Sequence, residues 1–302
     1  MTERIGVVAM AYGTPRTPEE ILPYYTDIRR GRVPTDEQLA DLTRRYAAIG
    51  GISPLAARTE AQRTALQRAL DVIAPDAYEV VLGLKHAAPK IETAVESLNA
   101  AGFRRIVGLV LAPHFSAFSV GEYLGRLRET AEPYGISVAG VERWGTEPAF
   151  VDFIAADLAP RLAAMPPDTR VLFTAHSLPQ RILAAGDPYP DELRATAEVV
   201  AAKIGLDPSR WSIAWQSAGR TPEPWIGPDI LQVIDELSAE HVSGVLVSAV
   251  GFVADHLEVL YDLDIEASAR AAAHGMRFDR TACVNDDPAV MAALAGRVVE
   301  LG

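Results

Sequence analysis

The stretch VLFTAHSLPQR, residues 171–181, runs from a short apolar segment into a histidine and then to a proline. Val171, Leu172 and Phe173 read as a β-strand over 171–174, because the run is short, apolar and bounded by turn residues. In open α/β sheets ligands gather at the carboxyl ends of the strands, and His176 stands at such an end. Six further short apolar runs, over 5–10, 78–84, 106–111, 136–141, 212–215 and 245–250, read the same way. Most are nearly continuous, as expected of parallel strands covered on both faces. Helical spacing of apolar residues falls over 36–48, 60–72, 90–100, 120–132, 148–164, 190–204, 227–237 and 287–300. Strands alternating with helices imply βαβ units and a mostly parallel sheet. The strands group on either side of residue 140. The expected fold class is therefore α/β, with two doubly wound, Rossmann-like parallel-sheet domains and a cleft between them. The expected domains are 1–140 and 141–285, with the last helix, about 286–302, packing back on the first. LVLAPHFSAFS and VLFTAHSLPQR form a faint internal echo: each runs strand, Ala, His and Ser.

The 302 residues are 49% hydrophobic, enough for a sizeable core. A net charge of −12 gives no global attraction to nucleic acid or to anionic membrane. Cys283 is the sole cysteine, which excludes an intramolecular disulfide and a cluster held by four thiolates of one chain. No basic leader precedes a long apolar region, and no run reaches the roughly 18 apolar residues that span a bilayer. A soluble, cytoplasmic monomer without a membrane anchor is expected. Neither G-x-G-x-x-G nor G-x-x-x-x-G-K-[ST] occurs, so dinucleotide and P-loop readings lack support.

Three strand ends carry residues unusual for plain turns. They are Tyr12 with Gly13, Thr14 and Pro15; His176 with Ser177; and the segment VGFVADHLEVLYDLDIEA, residues 250–267. On a helix, Glu258, Asp262 and Glu266 form one acidic ridge, with Asp255 one turn earlier. Like charges so spaced repel by roughly a few tenths of a kcal/mol per pair, so a cation, an arginine or full solvation compensates them. Phe252, Val253, Leu257, Leu260 and Tyr261 would half bury that helix, which weakens the reading as a plain solvated face. His256 and Glu258 lie two apart and do not share a helix face, which makes them poor partners for one metal. His176 and Glu258 come from different strand ends of one sheet and converge. An imidazole and a carboxylate with open positions suit a divalent metal such as Fe(II); taken alone, His176 also reads as a hydrogen-bonded turn residue. A basic cluster holds Arg29 and Arg30, then Arg44, Arg45, Tyr46 and Ser53 around a Gly-Gly turn. Arginines beside aromatics fit the rim of a flat, anionic ligand; surface charge balance is the plainer alternative.

Together these residues resemble the ferrochelatases. The resemblance runs from VVAMAYGTP to HLEVLYDLDIE, through IRRGR, RRYAAIGGISPLA, LAPHFSAFSV, TAHSLP, GDPYP, WQSAGRTPEPWIGPD and VGFVADHLEVLYD in the family's order. It is closest to the soluble ferrochelatases of Gram-positive bacteria, which act on coproporphyrin III. The resemblance implies a class II chelatase-like fold and Fe(II) insertion into coproporphyrin III to give coproheme, in heme biosynthesis. It gives His176 and Glu258 the catalytic and iron-binding positions, and Tyr12 the axial position to the product iron on the opposite porphyrin face. Arg29, Arg45, Tyr46, Ser53 and Tyr123 take the positions that hold the macrocycle and its carboxylates. It also implies a second metal, an Mg²⁺-like ion, near Arg45, Asp262 and Glu266; a salt-bridge cluster of the same three is the alternative. Fe(II) is a substrate, no prosthetic group is expected, and a single cysteine excludes the [2Fe–2S] cluster of some relatives. The implied partners are the porphyrin, Fe(II) and, transiently, the next heme-pathway enzyme. Residues after Ala267 match the pattern poorly and receive no role. Insertion into protoporphyrin IX, with two propionates rather than four, is the nearest alternative. A non-catalytic porphyrin or metal carrier comes next, then a periplasmic-type binding protein, which would carry a signal peptide.

Overall fold

The apolar runs pair as parallel strands in a computed structural model that describes residues 4–219 and 221–302. Residues 1–3 and Arg220, the latter inside the WQSAGRTPEPWIGPD motif, lie outside the described residues. The first half contains β1 (Ile5–Ala11), α1 (Ile21–Ile28), α2 (Asp36–Ala48), α3 (Leu55–Ile73), β2 (Tyr78–Leu84), α4 (Ile91–Ala100), β3 (Arg105–Val110), α5 (Val120–Ala131) and β4 (Ser137–Val141). Helix α6 (Pro148–Ala164) leads to β5 (Arg170–His176), α7 (Arg181–Ala184), α8 (Tyr189–Lys203), β6 (Trp211–Gln216), α9 (Ile230–Ala239) and β7 (Gly244–Ser248). The chain ends with α10 (Leu257–Leu260), a π-helix (Asp262–Ala267), α11 (Ser268–Ala273), β8 (Arg277–Arg280) and α12 (Pro288–Leu301).

Two four-stranded sheets result, ordered β2-β1-β3-β4 and β6-β5-β7-β8. Side chains of a strand alternate between faces, and β1 is buried on both. Val7 and Ala9 enter a core shared by both sheets, while Val8 and Met10 enter a second core under α4 and α5. Each such apolar side chain contributes up to about 1.5–3 kcal/mol on burial. The shared core also takes residues from α3, α6, α8 and α12. Helix α6 packs on α8 and β7, whereas α12 packs on α3, β3 and β4. The helix that follows each sheet therefore crosses to the other. Among the described residues no helix is long and apolar enough to cross a membrane.

The sheet order makes β1 the counterpart of β5. AYGTP, residues 11–15, is thus equivalent to AHSLP, residues 175–179, which puts Tyr12 and His176 at matching positions. The neighbouring strands agree. Ala11 pairs with Leu84 and Ala175 with Trp215, and Leu84 and Trp215 donate their amides to the carbonyls of Pro89 and Pro228. The echo of LVLAPHFSAFS with VLFTAHSLPQR joins non-equivalent places, because the former follows β3, whose counterpart is β7.

His114, in the turn after β3, ties the halves together. Its Nε2 lies 2.8 Å from Thr196 Oγ1 on α8, and that hydroxyl donates to Gly145 O at 2.8 Å. The imidazole is therefore neutral with its hydrogen on Nε2, and Nδ1 is buried without a partner. Burial pushes its pKa down to about 3. In the unfolded chain the value returns to about 6.5, so between these two values the unfolded chain binds a proton that the folded chain excludes. Stability from this group is full above about pH 6.5 and is lost as pH falls toward 3, at about 1.4 kcal/mol per unit. His114→Gln is expected to narrow the difference in urea stability between pH 7 and pH 5 by about 2 kcal/mol. An undiminished difference would contradict this assignment.

Candidate active site

His176 is the last residue of β5, and its backbone is held on several sides. Tyr189 Oη donates to His176 O at 3.0 Å; Ser177 N donates to Gln216 O at 2.8 Å; Ser177 Oγ donates to Ile226 O at 2.7 Å. Glu258 reaches it because β7 turns tightly against the end of β5. A Cβ on Gly251 would lie 2.3 Å from Ala175 Cβ, so only glycine lets the two strand ends approach this closely. Gly251 N donates to Thr174 O at 3.0 Å. Buried Gln216 bridges the two arms: its Oε1 accepts from Thr174 Oγ1 at 2.9 Å and its Nε2 donates to Glu258 O at 3.0 Å.

The Glu258 carboxylate lies between two imidazoles. His176 Nε2 is 3.7 Å from Oε1, and His256 Nε2 is 3.5 Å from Oε2. The exclusion of His256 on helical spacing is corrected by the backbone. His256 precedes α10 as its N-cap, with φ −157° and ψ −178°, so it lies outside the helix and helical spacing to Glu258 does not apply. His176 Nδ1 contacts the Ser177 carbonyl, and His256 Nδ1 lies 2.9 Å from Ala254 O. A carbonyl only accepts, so each ring carries its hydrogen on Nδ1 and presents the Nε2 lone pair to Glu258 when neutral. This is the orientation that backbone partners impose on metal-binding histidines. Burial opposes the charged form of His176, but the Glu258 charge and the Ser177 carbonyl outweigh it, and its pKa is raised. Burial likewise opposes the Glu258 carboxylate, yet His176 and then His256 hold it well below the usual range. The site therefore keeps an ionised carboxylate beside an imidazole that is readily protonated.

Tyr12 follows β1 on the other sheet and is 42% exposed. Its ring lies 4.5 Å from that of His86, centroid to centroid, and His86 Nδ1 is 2.7 Å from Asp27 Oδ2. Gly13, at φ +87°, makes the turn behind it, where a Cβ would meet Ala87 Cβ at 2.7 Å. The Tyr12 phenol is raised above its ordinary value by burial and then by the Glu258 charge. Tyr46 is pushed up to about 12 by burial, with Glu258 adding to the rise; its hydroxyl lies 3.3 Å from Thr14 Oγ1.

The remaining expected binding residues divide. Tyr46, Ser53 and Tyr123 are buried, at 2%, 4% and 6% exposure, so they do not form an exposed rim. Arg45 is committed elsewhere. It pairs with Asp262, lies 4.0 Å from Glu266 and sits 4.5 Å over the Tyr261 ring. Arg29 has no carboxylate partner among the described residues, and the same holds for Arg30 and Arg32 in the same turn. Arg29 Nε instead donates to Arg32 O at 3.2 Å, and the guanidinium lies 5.6 Å over Tyr25. Three unpaired arginines in one turn of an acidic chain form a ready contact for carboxylates.

The acidic ridge is not one α-helix. Asp255 precedes α10 and turns away to Arg280 and Asn285, so it leaves the ridge. Asp262 and Glu266 lie in the π-helix. Asp262 also accepts from Ser217 Oγ. Burial raises its pKa to about 6, with Glu258 adding to the rise and Arg45 opposing it. Among the described residues no group of three His, Cys, Asp or Glu side chains is gathered to hold a metal.

A family model described as Ferrochelatase matches residues 4–301. The chain belongs to the ferrochelatase family. It is 43% identical over 295 residues to a ferrochelatase of Herpetosiphon aurantiacus, covering 96% of each chain. It is 44% identical over 298 residues to the coproporphyrin III ferrochelatase of Halalkalibacterium halodurans, covering 97% of this chain and 96% of the relative. Among solved structures, SirB from Bacillus subtilis with Fe3+ shares the fold at a TM-score of 0.59 and 14% identity, covering 99% of this chain and 95% of that one. The ferrochelatase motifs locate Tyr12 and His176 at the ends of β1 and β5, and Glu258 on α10 beyond β7. Gln216 and the Asp27–His86 pair escaped the sequence reading because their roles lie in contacts between distant segments. His256 was in view, and only the assumption of an unbroken helix removed it.

Proposed function

We propose that the chain is a coproporphyrin III ferrochelatase, which inserts Fe(II) into coproporphyrin III and releases two pyrrole protons. The observation that carries this reading is the Glu258 carboxylate between the His176 and His256 imidazoles, with Tyr12 at the matching strand end of the other sheet. The names of the relatives support the same substrate. Fe(II) is a substrate, so its binding has to be sufficient for delivery and weak enough for release. A nitrogen and a carboxylate with open positions meet that need better than a closed four-ligand cage. Insertion needs acceptors for the pyrrole protons, and neutral His176 beside an ionised Glu258 is such an acceptor. The unpaired arginines of the 29–32 turn are suited to propionates, and energy from those remote contacts can favour a bent macrocycle with exposed nitrogen lone pairs. The Tyr12 hydroxyl would supply an oxygen donor to the product iron, and the His86 ring packs beside the Tyr12 ring.

No prosthetic group enters this account. At the Asp262–Glu266 ridge the geometry favours the arginine cluster, since Arg45 already neutralises Asp262. An Mg²⁺ ion there would displace that guanidinium and gain Glu266, whose side chain is 44% exposed. Loss of one bound divalent ion by calorimetry in Asp262→Asn/Glu266→Gln would establish the ion; unchanged stoichiometry establishes the cluster. We further propose a cytoplasmic monomer that passes its product transiently to the next enzyme of heme synthesis.

The substrate is tested by steady-state insertion of anaerobic Fe(II) into coproporphyrin III and protoporphyrin IX side by side. Coproporphyrin III is expected to give the higher kcat/KM, and Arg29→Ala to erode that advantage. Equal or higher kcat/KM with protoporphyrin IX overturns the assignment.

A further inference from the structure

We propose that Arg280 is a positioning residue that clamps both ends of the segment carrying His256 and Glu258. The inference rests on the proposed role of Glu258. Arg280 ends β8, which pairs beside β7 with Arg280 opposite Val247. Its Nε and Nη2 bind Asp264 Oδ1 and Oδ2 at 2.5 and 2.9 Å, and Nη2 reaches Asp255 Oδ1 at 3.4 Å. Asp255 lies immediately before His256, and Asp264 lies within the π-helix. One guanidinium therefore holds the residues that bracket the reactive pair.

The bracketed segment is not a regular α-helix. Helix α10 has four residues and continues through Tyr261, at φ −85° and ψ −54°, into the wider π-helix. The wide turn shows in the Glu266 N to Tyr261 O bond at 3.0 Å, and such turns persist where tertiary contacts hold them. Asp255 is fixed further. Its other oxygen accepts from Asn285 Nδ2 at 2.9 Å, and its amide donates to Asn285 Oδ1 at 3.0 Å. Asn285 is itself anchored to the first half of the chain, because Gln62 Nε2 donates to its carbonyl at 2.9 Å. Among the described residues, Arg280 is the part of this network that reaches past Glu258 to the π-helix. Its side chain is 16% exposed and that of Asp255 is 18%. Solvent replaces an ion pair so far withdrawn from water poorly; Arg58 Nη2, 3.8 Å from Asp255 Oδ2 and on a 44% exposed side chain, is the other cation beside Asp255 among the described residues.

The test measures Fe(II) insertion by the full chain carrying Arg280→Gln, with kcat and the two KM values determined separately. The expected result is a fall in kcat of about 10–100-fold, the range for groups that orient a metal ligand. The porphyrin KM is expected to stay near wild type, because the 29–32 turn lies on another element. Arg280→Lys, which keeps the charge but not the fork, is expected to recover part of the loss. A wild-type kcat, or a porphyrin KM that rises as much as kcat falls, overturns the clamp. Should Arg280→Gln fail to fold, Asp264→Asn, at a 38% exposed side chain, is judged by the same two outcomes. Glu258→Gln is run in parallel. Full activity there defeats the reading of the site, whereas an inactive Glu258→Gln beside a fully active Arg280→Gln defeats only the clamp.

Discussion

His176→Ala is expected to reduce Fe(II) insertion by about 10²–10⁴-fold, and by more where the lost imidazole is also a metal ligand. The Nε2 lone pair of His176 is the exposed nitrogen donor facing Glu258 at the end of β5. Alanine leaves no proton acceptor there, and the 3.5 Å His256–Glu258 contact does not restore one at the same place. Porphyrin binding, followed by fluorescence quenching, is expected to survive, because the free arginines lie in the 29–32 turn. Backbone anchors at residues 176 and 177 do not use the imidazole, apart from the Nδ1 contact, so the fold is retained. Insertion near the wild-type rate would remove His176 from the mechanism. A parallel collapse of porphyrin binding would make its role structural.

Glu258→Gln is expected to have the second largest effect. The amide keeps the shape and removes the charge that raises His176. Residues that act as one unit do not add their losses, so the double variant with His176→Ala should be hardly slower than His176→Ala alone. The variant also changes a titration. His176 titrates above its ordinary value of about 6.5 because the Glu258 charge outweighs burial. The stability it contributes is full below the unfolded value and is lost as pH rises through the raised folded value. Without the carboxylate, burial is opposed only by the weaker Ser177 carbonyl and Asp262 contributions, and the midpoint should fall. Imidazole resonances of the metal-free protein, followed by NMR, report it directly. An equal or higher midpoint in Glu258→Gln would show that the carboxylate does not govern His176.

The layers of the fold were legible because buried parallel strands have a distinctive pattern. Val7 to Met10 and Val171 to Phe173 are apolar on both faces, and only a covered sheet uses such runs. Strand β8 escaped notice because RFDR has no apolar run: it is an edge strand, paired only to β7, and its ends are arginines. Helix α1, which carries Tyr24 and Tyr25 ahead of Arg29, tolerates Pro23 because that residue stands in the first turn, where it removes no needed donor. Helix α9 begins at Ile230, later than expected from 227, since Pro228 extends the β6 ladder and Asp229 caps the helix. The site was legible where a motif coincided with a strand end, as at Tyr12 and His176. It was illegible where backbone form mattered, as at His256, which needs an extended residue before a four-residue helix. It was also illegible where charges far apart in sequence meet, as Arg280 meets Asp255 and Asp264.

The central claim is catalysis of metal insertion, and the most direct measurement is multiple-turnover proton release. The wild-type chain is mixed anaerobically with excess coproporphyrin III and Fe(II) in weak buffer, while the porphyrin spectrum and pH are followed together. The account predicts many porphyrins metallated per chain, with two protons released for each iron inserted and no change in rate-limiting behaviour until substrate is spent. Metallation that stops at one equivalent, or porphyrin binding without the spectral change and its two protons, would identify a carrier and contradict the account.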